Sequence, residues 1–435
     1  MKRTILLLFI MTFSFVPVVH AEETIGKGEL LTLERAVQIG LKRHPNVLAG
    51  QGSVAVSEAK KGQAQAGYWP TLDATAGYGR VKSASGSSVS SSVSSGFSSA
   101  HSFEQYSAGA AAKQTIFDFG RTGTNVEIQK QNVEASRSDL LNTEEQIILN
   151  VKQAYYNLLR TKRNRAVADE TVNQFRQHLE QAKAFYEVGT KPKFDVTKAE
   201  VDLSNAKLNL IIAENAVRLA MVSLNNAMGV PEAPEYAIED SLSFAKYVVS
   251  LEDAVKKAYE NRPELKALTA RRIAAEKAVY VAKTGYFPTL AGSASWSWSG
   301  ERPDTRDGGW NAGVALSIPI FSGFLTRNQV LEAKANLSIL AANEEALRQN
   351  VLLEVQQDYL SLNESEERIV TAELTVRQAK ENHEIATGRY AAGVGNPIEV
   401  TDAEVALSNA KAAHIQALYD YKVAAASLEK AMGTR

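Results

Sequence analysis

The sequence predicts a mainly helical chain with a membrane β part: four strands and long coiled-coil helices, arising from an internal duplication. Three observations carry this reading. One unit is written twice, each unit switches once from helical to alternating hydrophobic period, and long proline-free helical stretches follow each switch.

The duplication is direct. Leu33-Glu34-Arg35-Ala36-Val37 matches Leu251-Glu252-Asp253-Ala254-Val255, and Gly67-Tyr68-Trp69-Pro70-Thr71-Leu72 matches Gly285-Tyr286-Phe287-Pro288-Thr289-Leu290, both at an offset of 218 (33 to 251). Later pairs fall at 204: Tyr186 with Tyr390, Gly189 with Gly393, Leu203 through Lys207 with Leu407 through Lys411, and Ala227-Met228-Gly229 with Ala431-Met432-Gly433. The difference of 14 (218 minus 204) falls between Leu72 and Ile116, where residues 83–102 are rich in serine. A segment that gains residues without disturbing its flanks is a surface loop.

Before the first unit, Met1–Ala21 reads as a secretory signal: Lys2 and Arg3, then an apolar core, then Val19-His20-Ala21 as a small-residue cleavage site. An uncleaved anchor is the alternative. Later segments lack the run of about 20 apolar residues that a membrane helix needs, so a span would have to be made of strands. The expected organisation is 22–229 for the first repeat, 230–250 for a connecting equatorial segment and 251–435 for the second repeat.

Within each unit, Thr32 or Ser250 is a good N-cap for a short helix that stops near Pro45 or Pro263. A second helix runs to about Ala66 or Lys283. After Pro70 and Pro288 the period becomes two, predicting strands at about 71–82 and 104–117, then 289–299 and 310–321. Trp296 and Trp298 alternate with Ser295 and Ser297, and the return strand alternates Trp310, Val314 and Leu316 with Asn311 and Ser317. All four tryptophans lie in or beside these segments with Tyr68, Tyr286 and Phe287. Tyr68, Trp69, Tyr286, Phe287, Trp296, Trp298 and Trp310 are therefore read as an interfacial aromatic belt. A hairpin in a soluble sandwich is the competing reading, although the second face of these strands is too small and polar for a packed core.

The following helices carry stripes spaced three and four apart, such as Val172, Phe175, Leu179, Ala182 and Val196, Ala199, Leu203, Ala206. A helix of about 65 residues is about 100 Å long. The chain must then reverse at Tyr186–Asp195 and at Tyr390–Glu399. Four strands cannot close a barrel and open edges do not persist in lipid, so more than one chain is required.

Chemistry is otherwise sparse. The net charge of −1 implies no nucleic-acid partner, and the absence of cysteine excludes disulfides and thiol catalysis. The six histidines lack metal-ligand spacing, and no phosphate loop or nucleophile elbow occurs. Neither an enzyme nor a cofactor is expected.

With the doubled Gly-Tyr-Trp/Phe-Pro-Thr-Leu, the Phe117 and Phe321 junctions and the two turns in place, the chain resembles the TolC family of outer-membrane factors over nearly its whole mature length. The resemblance implies a homotrimer with a 12-stranded β-barrel continuous with a 12-helix periplasmic α-barrel. It also implies a passive exit duct of tripartite efflux or type I secretion, docked to a periplasmic adaptor and an inner-membrane transporter. It places a gate or selectivity ring at Glu399 and Asp402, with Tyr390 contributing to closure. Acidic residues in a first helical turn also simply complement the helix dipole. The basic residue often found in the family's second turn is absent, since Gly395 stands there. Adaptor contacts are expected at the tips, Val188-Gly189-Thr190-Lys191 and Gly393-Val394-Gly395, although glycine there also serves the turn alone. The charge difference between the turns makes the second repeat the better gate candidate. A non-transporting outer-membrane or periplasmic coiled-coil protein is the alternative.

Overall fold

The computed structural model describes residues 25–82, 102–234, 236–302 and 308–434. The signal reading at 1–21, and the serine-rich loop up to its last residue, lie outside them.

In chain order the elements are β1 (Leu30–Leu31), α1 (Leu33–Arg43), α2 (Pro45–Gln65), β2 (Thr71–Lys82), β3 (Ser102–Phe117), α3 (Arg121–Glu187) and α4 (Lys193–Ala227). There follow β4 (Ala237–Ile238), α5 (Leu251–Asn261), α6 (Pro263–Thr284), β5 (Thr289–Gly300), β6 (Gly308–Ser317), α7 (Leu325–Ala391) and α8 (Pro397–Ala431). α3 and α7 are each 67 residues long, and α4 and α8 are each 35.

Local chemistry accounts for the boundaries. Thr32 Oγ1 accepts from Arg35 N at 3.2 Å, and Ser250 Oγ accepts from Asp253 N at 3.1 Å, satisfying otherwise orphan donors. Pro45 and Pro263 each open a helix, where the missing N–H costs nothing. The glycine of each Gly-Tyr-aromatic-Pro motif has a packing reason. A Cβ on Gly67 would lie 3.0 Å from Thr122 Cγ2, and one on Gly285 would lie 2.9 Å from Thr326 Cγ2. Each glycine thus admits the first turn of the long helix that follows the hairpin. The last strand ends sooner than the alternation suggested, at Ser317 rather than 321, because Pro319 has no ladder donor.

The four long strands form one antiparallel sheet in the order β2-β3-β5-β6, leaving β2 and β6 as edges. The helices repeat this order. α2 and α4 pack end to end along α3; α3 packs against α6 and α8; α6 and α8 pack along α7. One long edge of the chain is therefore β2, α2 and α4, and the other is β6 and α7.

The main core lies at the equator, where Leu31, Ile39, Val151, Leu158, Leu224, Val355 and Leu428 are buried together. The two-residue parallel pairing of β1 with β4 also sits there, and was too short to read from the sequence. Tyr155 ties it down: its hydroxyl lies 3.1 Å from Leu31 O and 2.8 Å from Glu239 O. Burial, helped by the nearby Glu239 carboxylate, pushes that phenol up to about 12.

Candidate functional site

Two regions hold the residues singled out by the sequence, the sheet and the helical tips. In the sheet, Trp296 pairs in register with Trp310, which is 80% exposed. Tyr68, Trp69, Tyr286, Phe287 and Trp296 are also exposed, while Trp298 is half-buried. Four of the seven, Tyr68, Trp69, Tyr286 and Phe287, precede the strands at the helical end of the sheet, and the three tryptophans of β5 and β6 lie farther out. At the junctions Phe119 and Phe324 hold positive φ angles of 52° and 64°. Their rings pack on Phe117 and Phe321 at 4.8 and 5.5 Å, which holds these sparsely populated conformations in place.

At the tips, both long helices end in the same way. Gly189 (φ 75°) and Gly393 (φ 79°) take the left-handed conformation, and Thr190 N and Val394 N close back on Phe185 O and Arg389 O at 2.9 and 3.1 Å. Val188, Gly189 and Thr190 are exposed, as are Gly393 and Val394. Gly395 is not the exposed tip residue expected. It is buried, and a Cβ there would meet Tyr390 N at 2.6 Å, because its own N–H returns to Arg389 O at 2.9 Å.

The first tip reaches the second through Lys191. Its Nζ donates to Gly395 O at 3.2 Å and lies 5.4 Å from the centre of the Tyr390 ring. Lys191 and Gly395 occupy the same repeat position (191 to 395, offset 204). The cation missing from the second turn is thus present in space, contributed by the first. Tyr390 is fully buried between His178 and Phe185, at ring separations of 4.9 and 5.7 Å. Burial, reinforced by buried Asp195, pushes its phenol up to about 12. Between α8 and α4, Thr401 Oγ1 donates to Asp202 Oδ2 at 2.9 Å, and Lys198 reaches the same oxygen at 3.0 Å.

Glu399 and Asp402 are exposed near the second tip, and Glu399 faces Arg389 Nε at 3.4 Å. Both lie outside the buried contacts that join the tips. Sequence reading missed Asp202, Thr401 and the contact of half-buried His383 with buried Glu404, because each depends on a partner from another helix. The Lys191/Gly395 mismatch between aligned repeats was the one signal that could have exposed part of it. No cluster suited to a metal occurs among the described residues, and no described helix is long and apolar enough to cross a membrane.

Known proteins match over this whole architecture. The family described as outer membrane efflux protein matches residues 36–230 and 254–434. The outer membrane protein TolC of Vibrio cholerae is 25% identical over 303 residues, covering 67% of this chain and 68% of that one. The pyoverdine export outer membrane protein OpmQ of Pseudomonas aeruginosa is 22% identical over 92% of this chain and 85% of its own. Among solved structures, that of CusC superposes with a TM-score of 0.80 at 17% identity, covering 93% of this chain and 92% of that one.

Proposed function

The chain belongs to the outer membrane efflux protein family and is an outer-membrane exit duct with its helical tube in the periplasm, and from that premise we propose how it assembles and is controlled. It works as a homotrimer, with a 12-stranded barrel above a 12-helix tube. It conducts passively, without enzymatic activity, and receives its cargo from a periplasmic adaptor and an inner-membrane transporter, in efflux or type I secretion.

The carrying observation is the shared edge order. β2 is unpaired on one side of the chain and β6 on the other, and unpaired strand edges are not tolerated in lipid. The helical edges below them are apolar and exposed: Val201, Leu208, Ile212 and Leu219 on α4, and Ile339, Leu353, Leu360 and Val370 on α7. A head-to-tail ring that joins β6 to β2 and α7 to α2 and α4 satisfies both edges in one rotation. Four strands from each of three chains give an even strand number within the range of closed barrels. The trimer number itself comes from the family.

In the closed duct, Glu399 and Asp402 of three chains would form two acidic rings that favour cations. Tyr390 would hold the second tip packed behind them. Val188 through Lys191, with Gly393 and Val394, would meet the adaptor, where small residues permit close backbone approach. The belt residues would face outer-membrane lipid.

Because the chain contains no cysteine, introduced cysteines can be read without background. A Leu219→Cys, Leu360→Cys protein, with both positions exposed and at matching heights on α4 and α7, should give covalent ladders that stop at three chains. Monomers alone, or ladders without an upper limit, would overturn the ring. Single-channel recording in planar bilayers then tests conduction directly.

A further inference from the structure

Above the second tip, α7 and α8 are joined by a contact that the first repeat lacks. His383 Nε2 lies 2.6 Å from Glu404 Oε2. Glu404 is 2% exposed, and its Oε1 is buried with no hydrogen-bond partner among the described residues. A cavity of about 460 Å³ opens beside the pair, between α3 and the α7–α8 coiled coil. His178, Glu180 and Gln181 of α3 line it with His383, Thr387 and Glu404. At the aligned positions of the first repeat stand Leu179 and Glu200 (offset 204), and Glu200 is exposed and paired with Lys183 at 3.6 Å. The second repeat has buried a carboxylate that the first keeps in water.

The charges around the pair come from three helices. Lys411 of α8 acts on both members, but is held by Glu170 of α3 at 2.6 Å. Glu384 of α7 and Glu170 act on His383, and Glu180 of α3 borders the cavity. His178 is acted on by Asp195, Lys198 and Asp202 of α4. An ionised carboxylate with one bare oxygen in such a place is costly.

We propose that His383 and Glu404 form a proton-operated clasp between α7 and α8, which holds the second tip packed while it carries a proton and loosens it when that proton is lost. After the loss, the imidazole still donates through Nε2, but Oε1 remains as a buried charge without a hydrogen-bond partner among the described residues. The sign follows from burial. Desolvation pushes the Glu404 carboxyl up to about 7, so its contribution is complete below the ordinary carboxylate range and disappears as pH rises through about 7. Desolvation lowers His383 and His178, so their contribution is complete above the ordinary histidine range and is lost as pH falls. Between pH of about 6.5 and 8 the Glu404 contribution is lost while the histidines gain the last of theirs in the opposite sense. The loosening due to Glu404 is therefore read as the difference between the unmodified protein and Glu404→Gln. The clasp is separate from the proposed acidic rings, whose residues are exposed.

Hydrogen exchange on the purified full-length oligomer, corrected for intrinsic rates, tests this in peptides covering the end of α7 and the start of α8. From pH of about 6.5 to 8 the protection of the unmodified protein there should fall by roughly fourfold relative to that of Glu404→Gln. The first tip should show no such relative fall. The same pH dependence in both proteins would overturn the clasp. Infrared titration gives a second readout: a protonated carboxyl band should persist until pH of about 7, above the range of Asp358, which burial raises to about 6, and this upper part should be missing from Glu404→Gln. Absence of any such band at pH of about 6.5 would also overturn it.

Discussion

The two tips are built on one sequence plan and bury opposite members of it. Asp195 of the first is buried, whereas the aligned Glu399 of the second is exposed. Tyr186 of the first is 47% exposed, whereas the aligned Tyr390 is fully buried. Glu200 is exposed and the aligned Glu404 buried, while Lys191 bonds to the carbonyl of its own counterpart, Gly395. The equatorial corners behave differently. A Cβ on Gly229 would lie 2.8 Å from His44 Cα, and one on Gly433 would lie 2.9 Å from Arg262 N, so the same close approach is made twice. Duplication has therefore preserved the corners that set the architecture and let the tips diverge into complementary halves of one contact.

This contrast can be broken most sharply at the corners. Gly229→Val and Gly433→Val combine a positive φ with a clash against backbone, and each should cost about 3 kcal/mol or more in thermal or denaturant unfolding. Their effects should be similar; tolerance in one repeat alone would show that the corners are not equivalent. At the tips asymmetry is expected instead. Gly395→Ala forces a Cβ onto Tyr390 N and should cost about 2 kcal/mol of local stability, read by hydrogen exchange at the end of α7. Lys191→Ala at the aligned position removes one partly exposed hydrogen bond and should cost about 1 kcal/mol at the same peptides. If Lys191→Ala left the second tip unchanged, the contact between tips would carry no weight.

Gly189→Ala and Gly393→Ala meet no neighbouring atom, so only their positive φ matters, and each should cost about 1 kcal/mol. Bulkier residues at these two positions should block adaptor crosslinking; intact crosslinking and export would remove the docking role. The smallest structural effect belongs to Glu399→Ala with Asp402→Ala, within about 0.5 kcal/mol, since both are exposed and the pair with Arg389 is solvated. Their expected effect is on conductance, as a reduced preference for cations. Unchanged preference would sink the acidic rings.

The sequence alone determined the scaffold. The offsets of 218 and 204 located the two repeats and the loop between the first two long strands, and the absence of proline set the length of α3 and α7. The capping residues, the prolines at helix starts and the alternation of the strands carry local conformational preferences, so they could be read without knowing any neighbour. The exposed acids Glu399 and Asp402 and the tip glycines were also legible, because a turn and its first helical residues are local features. Tertiary structure decided which of two aligned residues is buried. A hydrophobic stripe shows that a helix has a partner and leaves the identity of that partner open. The seam between α3 and α8 joins unlike faces of the two repeats, so aligned positions on its two sides meet different surroundings. The burial of Asp195, Tyr390 and Glu404, and the reach of Lys191 to Gly395, follow from that seam. Each is a contact between residues far apart in sequence, whose energy depends on desolvation and on a partner that no local pattern specifies.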